Sequence, residues 1–374
     1  MTSALFFESL RTQWESGLPF VAYRKPNETQ VNALFQKSDT LIYTQDFTES
    51  GFVFSPYNQE EETILIPLEG SDRCSMSEPE VTESDFYING LDNNQNPASK
   101  ERHMDLVAKG VNEIEQSNLQ KVVLSRSEAI ELTDPDPLRI FKKLLHRYSR
   151  AFVYLWYHPK IGLWLGATPE TLIRVENKRL SVMALAGTQV YQGTVDVEWK
   201  TKERQEQQYV TDFIVSNLKT SAENIRVSEV ETTRSGNLLH LKSTISGTLK
   251  STARDMRQLL RTLHPTPAVC GVPKNEAMAF IKANEDYDRE FYTGFLGELN
   301  FEKKRHPRSS VRNIEHRAYK TQTHYTQLYV NLRCMQLKEN QAILYVGGGI
   351  TSLSDPASEW DETVSKSNVI KSVL

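Results

Sequence analysis

Met104, Val107, Val111 and Ile114 recur every three or four residues, a spacing that predicts a helix over 101–117. The N-terminal MTSALFFESLRTQWESG has the same amphipathic character, without the basic start and unbroken apolar core of a signal peptide. From Ser3 to about Ile88, strand-like pieces such as FVAYRK and ETILIPLEG alternate with polar loops, and Ile88–Glu101 reads as a linker. KVVLSRSEAIEL, from Lys121, reads as a strand, and Pro137 opens the helix PLRIFKKLLHRYS. FVYLWYHPKIGLWLGA and LIRVENKRLSVMAL each read as a hairpin, turning at His158-Pro159 and at Glu176-Asn177-Lys178. A long helix follows over 197–219, then strands at RVSEV and LLHLKSTISGTL and helices near 253–263 and 275–285. Three further strands are expected at FYTGFLGEL, LYVNLRCMQL and AILYVGGG, and a last helix from Asp355-Pro356. Antiparallel hairpins with helices set between them give an α+β fold rather than regular βαβ alternation.

Composition narrows the function classes. The 374 residues are 39% hydrophobic and 25% charged, which suits a soluble globular chain with a sizeable core. A net charge of −4, from 44 basic and 48 acidic side chains, lacks the basic excess of a nucleic-acid binder. No apolar run approaches the ~20 residues that span a bilayer. Cys74, Cys270 and Cys334, with no C-x-x-C, argue against a disulfide framework or a zinc site and point to a reducing cytoplasm.

Charge spacing raises a sharper question. In a helix begun by Pro356, Glu359, Glu362 and Lys366 sit at i, i+3 and i+7, within about 60° of one another. Glu203 and Glu206 repeat the i, i+3 spacing on the earlier long helix. Spacing alone favours two exposed helices laced by salt bridges. If the pairs instead converge, four carboxylates stay ionised only around a cation, and an all-oxygen site selects Mg²⁺ over zinc. The nearby GGGI (Gly347–Ile350) reads either as a bulge or tight turn at a strand end or as backbone that lets an anion approach. It is no phosphate loop, since no G-K-[ST] follows.

Several stretches occur in a fixed order: KVVLSR, GATPE, ALAGT, KERQEQ, HLKSTISGTL, LHPTPAVCG, DREFYTGFLG, LRC, GGGI and SEWDETVSK. This series, over roughly 100–374, resembles the chorismate-utilising enzymes and within them looks most like the isochorismate synthases. Residues 1–100 match more loosely. The resemblance implies one large α/β (α+β) domain over 1–374, with two stacked β-sheets surrounded by helices, as in anthranilate synthase component I, and the catalytic core in 101–374. It implies chorismate as substrate and Mg²⁺ as cofactor. Glu206 and Glu362 would bind the metal directly, and Glu203 and Glu359 would hold its waters. Arg333, Lys366 and the Gly347 backbone would hold the enolpyruvyl carboxylate, with Tyr292 in the same pocket. Gly187, Thr188 and His240 would line the cleft near the ring. Lys121 would be the base that activates water and Glu170 the acid that protonates the leaving hydroxyl. A dianion entering a dry cleft does require such fixed positive charge and oriented donors.

Three positions choose a branch by the same analogy. Anthranilate synthases usually have glutamine at Lys121, and aminodeoxychorismate synthases place a nucleophilic lysine at Ala186. Enzymes that go on to eliminate pyruvate usually have threonine at Ala268. The residues present point to water as nucleophile and to stopping at isochorismate, for menaquinone or siderophore synthesis. The alternatives are a salicylate synthase, an amide-transfer component that needs a glutamine amidotransferase, and a family member that binds without turnover. The expected chain is a cytoplasmic monomer without nucleic-acid, membrane or amidotransferase partners. Two features depart from the family pattern: Gln207, where histidine is common, and the long basic segment 303–324, read as a solvated loop, an anion-attracting flap or a docking site for a partner.

Overall fold

A computed structural model of the chain describes residues 1–77, 96–250, 255–303 and 323–374. Among the described residues two antiparallel sheets lie face to face. The first runs in the order β15 (Gly271–Val272), β7 (Lys121–Glu131), β19 (Gln341–Ile350), β18 (Cys334–Lys338), β9 (Gly162–Thr168), β8 (Phe152–His158), β1 (Phe20–Arg24), β2 (Gln30–Gln36) and β6 (Ser71–Ser77). The second runs β12 (Ala222–Val227), β14 (Leu238–Leu249), β11 (Arg179–Val190), β10 (Thr171–Glu176), β17 (Thr323–Val330), β16 (Phe295–Lys303), β4 (Gly51–Ser55), β5 (Thr63–Pro67) and β3 (Tyr43–Thr44), with β13 (Glu231–Ser235) also on β14. The N-terminal residues thus supply strands to both sheets.

Aromatic side chains fill the space between the sheets. Phe152 of one stacks on Tyr329 of the other at 4.1 Å, and Phe54 stacks on Phe291 at 4.3 Å. Such strands are covered on both faces, which is why FVYLWYH carries no polar alternation. Helices close the outer faces. α1 (Ser3–Glu15), α3 (Pro137–Arg147) and α7 (Pro356–Lys371) bury Phe6, Phe141 and Ile370 against the first sheet. α4 (Thr201–Ser221) and α5 (Met256–Leu263) bury Val210, Ile214 and Leu260 against the second. α2 (Pro97–Gln116) and α6 (Lys274–Asn284) cover β7 and β15 through Val107, Ala277 and Ile281. Among the described residues no helix is long and apolar enough to cross a membrane, and all three cysteines are free.

Both predicted hairpins form, and Asn177 takes the left-handed conformation that the second turn requires. Three boundaries move. α2 begins at Pro97, capped by the Asn96 side chain, so it enters the expected linker; residues 88–95 lie outside the described residues. α4 begins at Thr201 because Trp199 is buried in the preceding loop, its indole donating to Thr232 Oγ1 at 3.0 Å. The FYTG start of a predicted strand is a tight passage instead, with Thr293 at φ 61° and Gly294 packed so closely that a Cβ would lie 2.0 Å from the Ser55 carbonyl. Most of the basic segment 303–324 lies outside the described residues.

LYVNLRCMQL is two strands, not one. β17 ends at Val330 in the second sheet and β18 begins at Cys334 in the first. The chain crosses between sheets at Asn331–Arg333. It also crosses at Pro169–Glu170, from β9 to β10. The two crossovers lie side by side: Val330 N–H donates to Glu170 O at 3.0 Å and Ala167 N–H to Arg333 O at 3.1 Å.

Candidate active site

A cleft with about 790 Å³ of empty space, counting its open mouth, lies where both crossovers meet the ends of β7, β11 and β19. Its lining includes Lys121, Glu170, Gly187, Thr188, Glu206, His240, Ala268, Tyr292, Arg333, Gly347, Glu362 and Lys366. Glu203 and Glu359 do not line it. Glu359 is buried behind Gly348, and Glu203 backs onto Gly187, where an added Cβ would come within 2.9 Å of it.

The crossovers deliver the two groups that sequence pattern alone cannot place. Glu170 is 2% exposed, and burial pushes its carboxyl up to about 8, more than Lys121 and Arg333 pull it down. Arg333 sits at φ 49°, a left-handed backbone that a non-glycine residue adopts at a cost. Its guanidinium is aimed by two partners, the Ser235 hydroxyl and His240 Nε2, the latter at 2.7 Å. His240 Nδ1 lies 2.9 Å from the Gly187 carbonyl, so the proton is on Nδ1 and Nε2 accepts from Arg333. Burial pushes this imidazole down to about 3, which keeps it neutral and able to accept. Gly187, at φ 72° in the bulge of β11, turns that carbonyl toward His240.

Lys121 is 1% exposed at the start of β7. Burial lowers its pKa, with Lys366 and Lys202 adding to the effect and Glu206, 3.6 Å away, opposing it. Burial likewise raises the pKa of Glu206, against the pull of Lys121 and Lys202. The strand beneath is braced by a buried ion pair. Arg289 donates to Glu285 at 2.6 Å and to Val123 O at 2.7 Å, while Glu285 accepts from the Ser125 backbone N–H at 2.8 Å.

The glycine run is neither turn nor bulge, which corrects that expectation. Gly347, Gly348 and Gly349 pair in regular register with Ser125, Leu124 and Val123. They are glycines because the strand is crowded on both faces. A Cβ at 347 would meet the Leu124 carbonyl at 2.8 Å and Tyr292 Oη at 3.1 Å. One at 349 would meet Glu206 Oε2 at 2.7 Å and Lys121 Cε at 2.9 Å. Gly349→Ala therefore displaces the lysine and the glutamate together, without demanding a left-handed backbone. Turnover should fall about 100-fold, the scale of a misplaced reacting group. Thermal unfolding should move only slightly, because the clashing atoms are side-chain ends. Full activity would remove both residues from the chemistry.

The glutamates of α4 and α7 come to one region, where lysines pair with them. Lys366 joins Glu362 at 2.8 Å and donates to Gly347 O at 2.8 Å. Lys202, inside KERQEQ but not picked out by spacing, hydrogen-bonds Glu359 Oε1 and lies 3.6 Å from Glu206 Oε1. Lysines therefore stand among the acids, and among the described residues no three acids, histidines or cysteines are grouped closely enough to enclose a metal. Glu203 Oε2 and Glu359 Oε2 are nevertheless buried with no hydrogen-bond partner. Orphaned carboxylate oxygens and an all-oxygen donor set fit a hard divalent cation. Gln207, the departure from the family pattern, ties α4 to β14 by donating to Thr211 Oγ1 and Ser243 Oγ, both at 2.9 Å.

The sequence matches the family described as chorismate binding enzyme over residues 57–306, and a second family of the same description over 318–372. A salicylate biosynthesis isochorismate synthase of Pseudomonas aeruginosa is 28% identical over 277 residues, 72% of this chain and 53% of that protein. The chain thus spans about half the length of that relative. The menaquinone-specific isochorismate synthase of Escherichia coli superposes with a TM-score of 0.73 at 20% identity, covering 95% of this chain and 88% of that one. Anthranilate synthase component I of Streptococcus pneumoniae superposes with a TM-score of 0.64 at 17% identity, covering 94% and 92%. These two likenesses carry the fold: stacked sheets within helices.

Proposed function

We propose, from the premise that this chain belongs to the family of chorismate-binding enzymes, that it converts chorismate to isochorismate. The carrying observation is one cleft that holds a buried lysine with a lowered pKa and a buried glutamic acid with a raised one. Lys121 takes a proton as water adds to ring C2. The double bonds shift, the C4–O bond breaks, and Glu170 protonates the departing hydroxide, so one water enters and one leaves. Solvent returns the proton from Lys121 to Glu170. Arg333, Lys366 and the Gly347 backbone hold the enolpyruvyl carboxylate, with Tyr292 in the same pocket, and Gly187, Thr188 and His240 shape the wall beside the ring. Glu206 and Glu362 would hold Mg²⁺, with Glu203 and Glu359 behind them. Bound there, the cation would neutralise a carboxylate of the dianion. Small residues at Ala186 and Ala268 favour water as nucleophile and no later loss of pyruvate. The reading carries with it a cytoplasmic chain that needs no amidotransferase and feeds menaquinone or siderophore synthesis.

The test is incubation with chorismate and Mg²⁺ in ¹⁸O-water, with an EDTA control and NMR identification of products. An EDTA-sensitive mixture of chorismate and isochorismate, labelled at C2, is expected. Salicylate with pyruvate would move the chain to the pyruvate-eliminating branch. A nitrogenous product formed on adding ammonia would place it with the amide-transfer enzymes. Binding without any product would leave a non-catalytic role.

The pH profile follows from Glu170. An acid catalyst works protonated, and this carboxyl is held near pH 8 by burial. Turnover should therefore fall tenfold per pH unit above about 8. Glu170→Gln should lose most activity and the alkaline limb with it. A rate that climbs through pH 8–9 would reverse the assignment.

A further inference from the structure

We infer that the Lys202 ammonium occupies the divalent cation's place in the ligand-free protein and has to leave it for the cation to bind. The inference rests on the metal site proposed above. Lys202 lies in the first turn of α4, where the helix dipole disfavours a positive charge. The acids hold it there. It hydrogen-bonds Glu359 Oε1 of α7 and approaches Glu206 Oε1 of its own helix, bridging the two helices that carry the four glutamates. A single ammonium cannot serve every acceptor, and the buried Oε2 atoms of Glu203 and Glu359 are left unpaired.

The neighbouring lysines have other anchors. Lys121 is enclosed in the interior, and Lys366 also holds the Gly347 carbonyl. Lys202 is partly exposed, on a flexible stem, and among the described residues its ion pairs are to Glu206 and Glu359. Among the described residues its ammonium makes no backbone hydrogen bond, so it can swing toward solvent without breaking one. The chain thus carries its own competitor for the metal: the ammonium keeps the glutamates from repelling one another, and a divalent ion gains its oxygens only by displacing it.

The measurement is calorimetric titration of MgCl₂ into the protein without chorismate, together with thermal unfolding in EDTA and in Mg²⁺. Lys202→Met keeps the stem and removes the charge. It should bind Mg²⁺ at least tenfold more tightly than the parent, melt lower in EDTA and regain its stability in Mg²⁺. Lys202→Arg, which keeps the charge, should bind no more tightly than the parent, and its ratio to Lys202→Gln tests the idea should the methionine variant misfold. Equal or weaker Mg²⁺ binding in the charge-free variants would overturn the inference and leave the metal site standing. No Mg²⁺ binding by parent or variants, with or without chorismate, would overturn both.

Discussion

Lys121→Ala should lower turnover of chorismate by about 10²–10⁴-fold, the range of a lost general base. The lysine lies inside the protein, 1% exposed, where burial favours its neutral amine. A neutral amine accepts a proton from water; an ammonium does not. The groups assigned to the enolpyruvyl carboxylate stay in place, since Arg333 is aimed by Ser235 and His240, and Lys366 by Glu362 and Gly347. Chorismate affinity, measured by equilibrium binding, should therefore change by only a few-fold. Added small primary amines should restore part of the rate, which a merely structural lysine would not permit. Near-normal turnover in the alanine variant would remove Lys121 as the base.

The hairpins were legible because their signals are local. Apolar runs reverse at turn residues, and Asn177 supplies its own left-handed turn. The break inside LYVNLRCMQL was not legible. No glycine or proline marks it, and the run is apolar on both sides. It exists because the chain changes sheets there: β17 pairs with β10 and β16, β18 with β9 and β19. The same crossover aims Arg333, so the ordered motifs could name this residue while its mechanical support stayed hidden. Ser235, which holds it, lies 98 residues earlier.

The glycine run misled for a related reason. Glycine in a sequence ordinarily signals a turn. Here three glycines sit in a regular strand because α7, Tyr292 and Glu206 press on it from elements remote in the sequence. Lys202 is the mixed case. Its i, i+4 relation to Glu206 is visible in KERQEQ, but its stronger partner, Glu359, is 157 residues away. Helical spacing shows which acids share a face. It does not show which cation stands between two faces.

Glu206→Gln should raise the Mg²⁺ concentration for half-maximal activity at least tenfold or abolish turnover. Glutamine keeps the shape and one carbonyl oxygen, so it still packs beside Lys121 and Lys202. It removes the formal charge that a magnesium ligand contributes. Two failures have to be separated, because the same carboxylate stands beside the proposed base. Losing it weakens an influence that raises the Lys121 pKa, so the amine is left at least as neutral as before. A defect in the base would therefore persist at every Mg²⁺ concentration, whereas a defect in metal binding recedes as Mg²⁺ is added. Rates recorded across a Mg²⁺ titration at fixed chorismate distinguish the two. Recovery at high Mg²⁺ assigns Glu206 to the metal. An unchanged titration curve with lowered turnover assigns it to Lys121 alone, and the metal reading would then rest on Glu362 without its partner on α4.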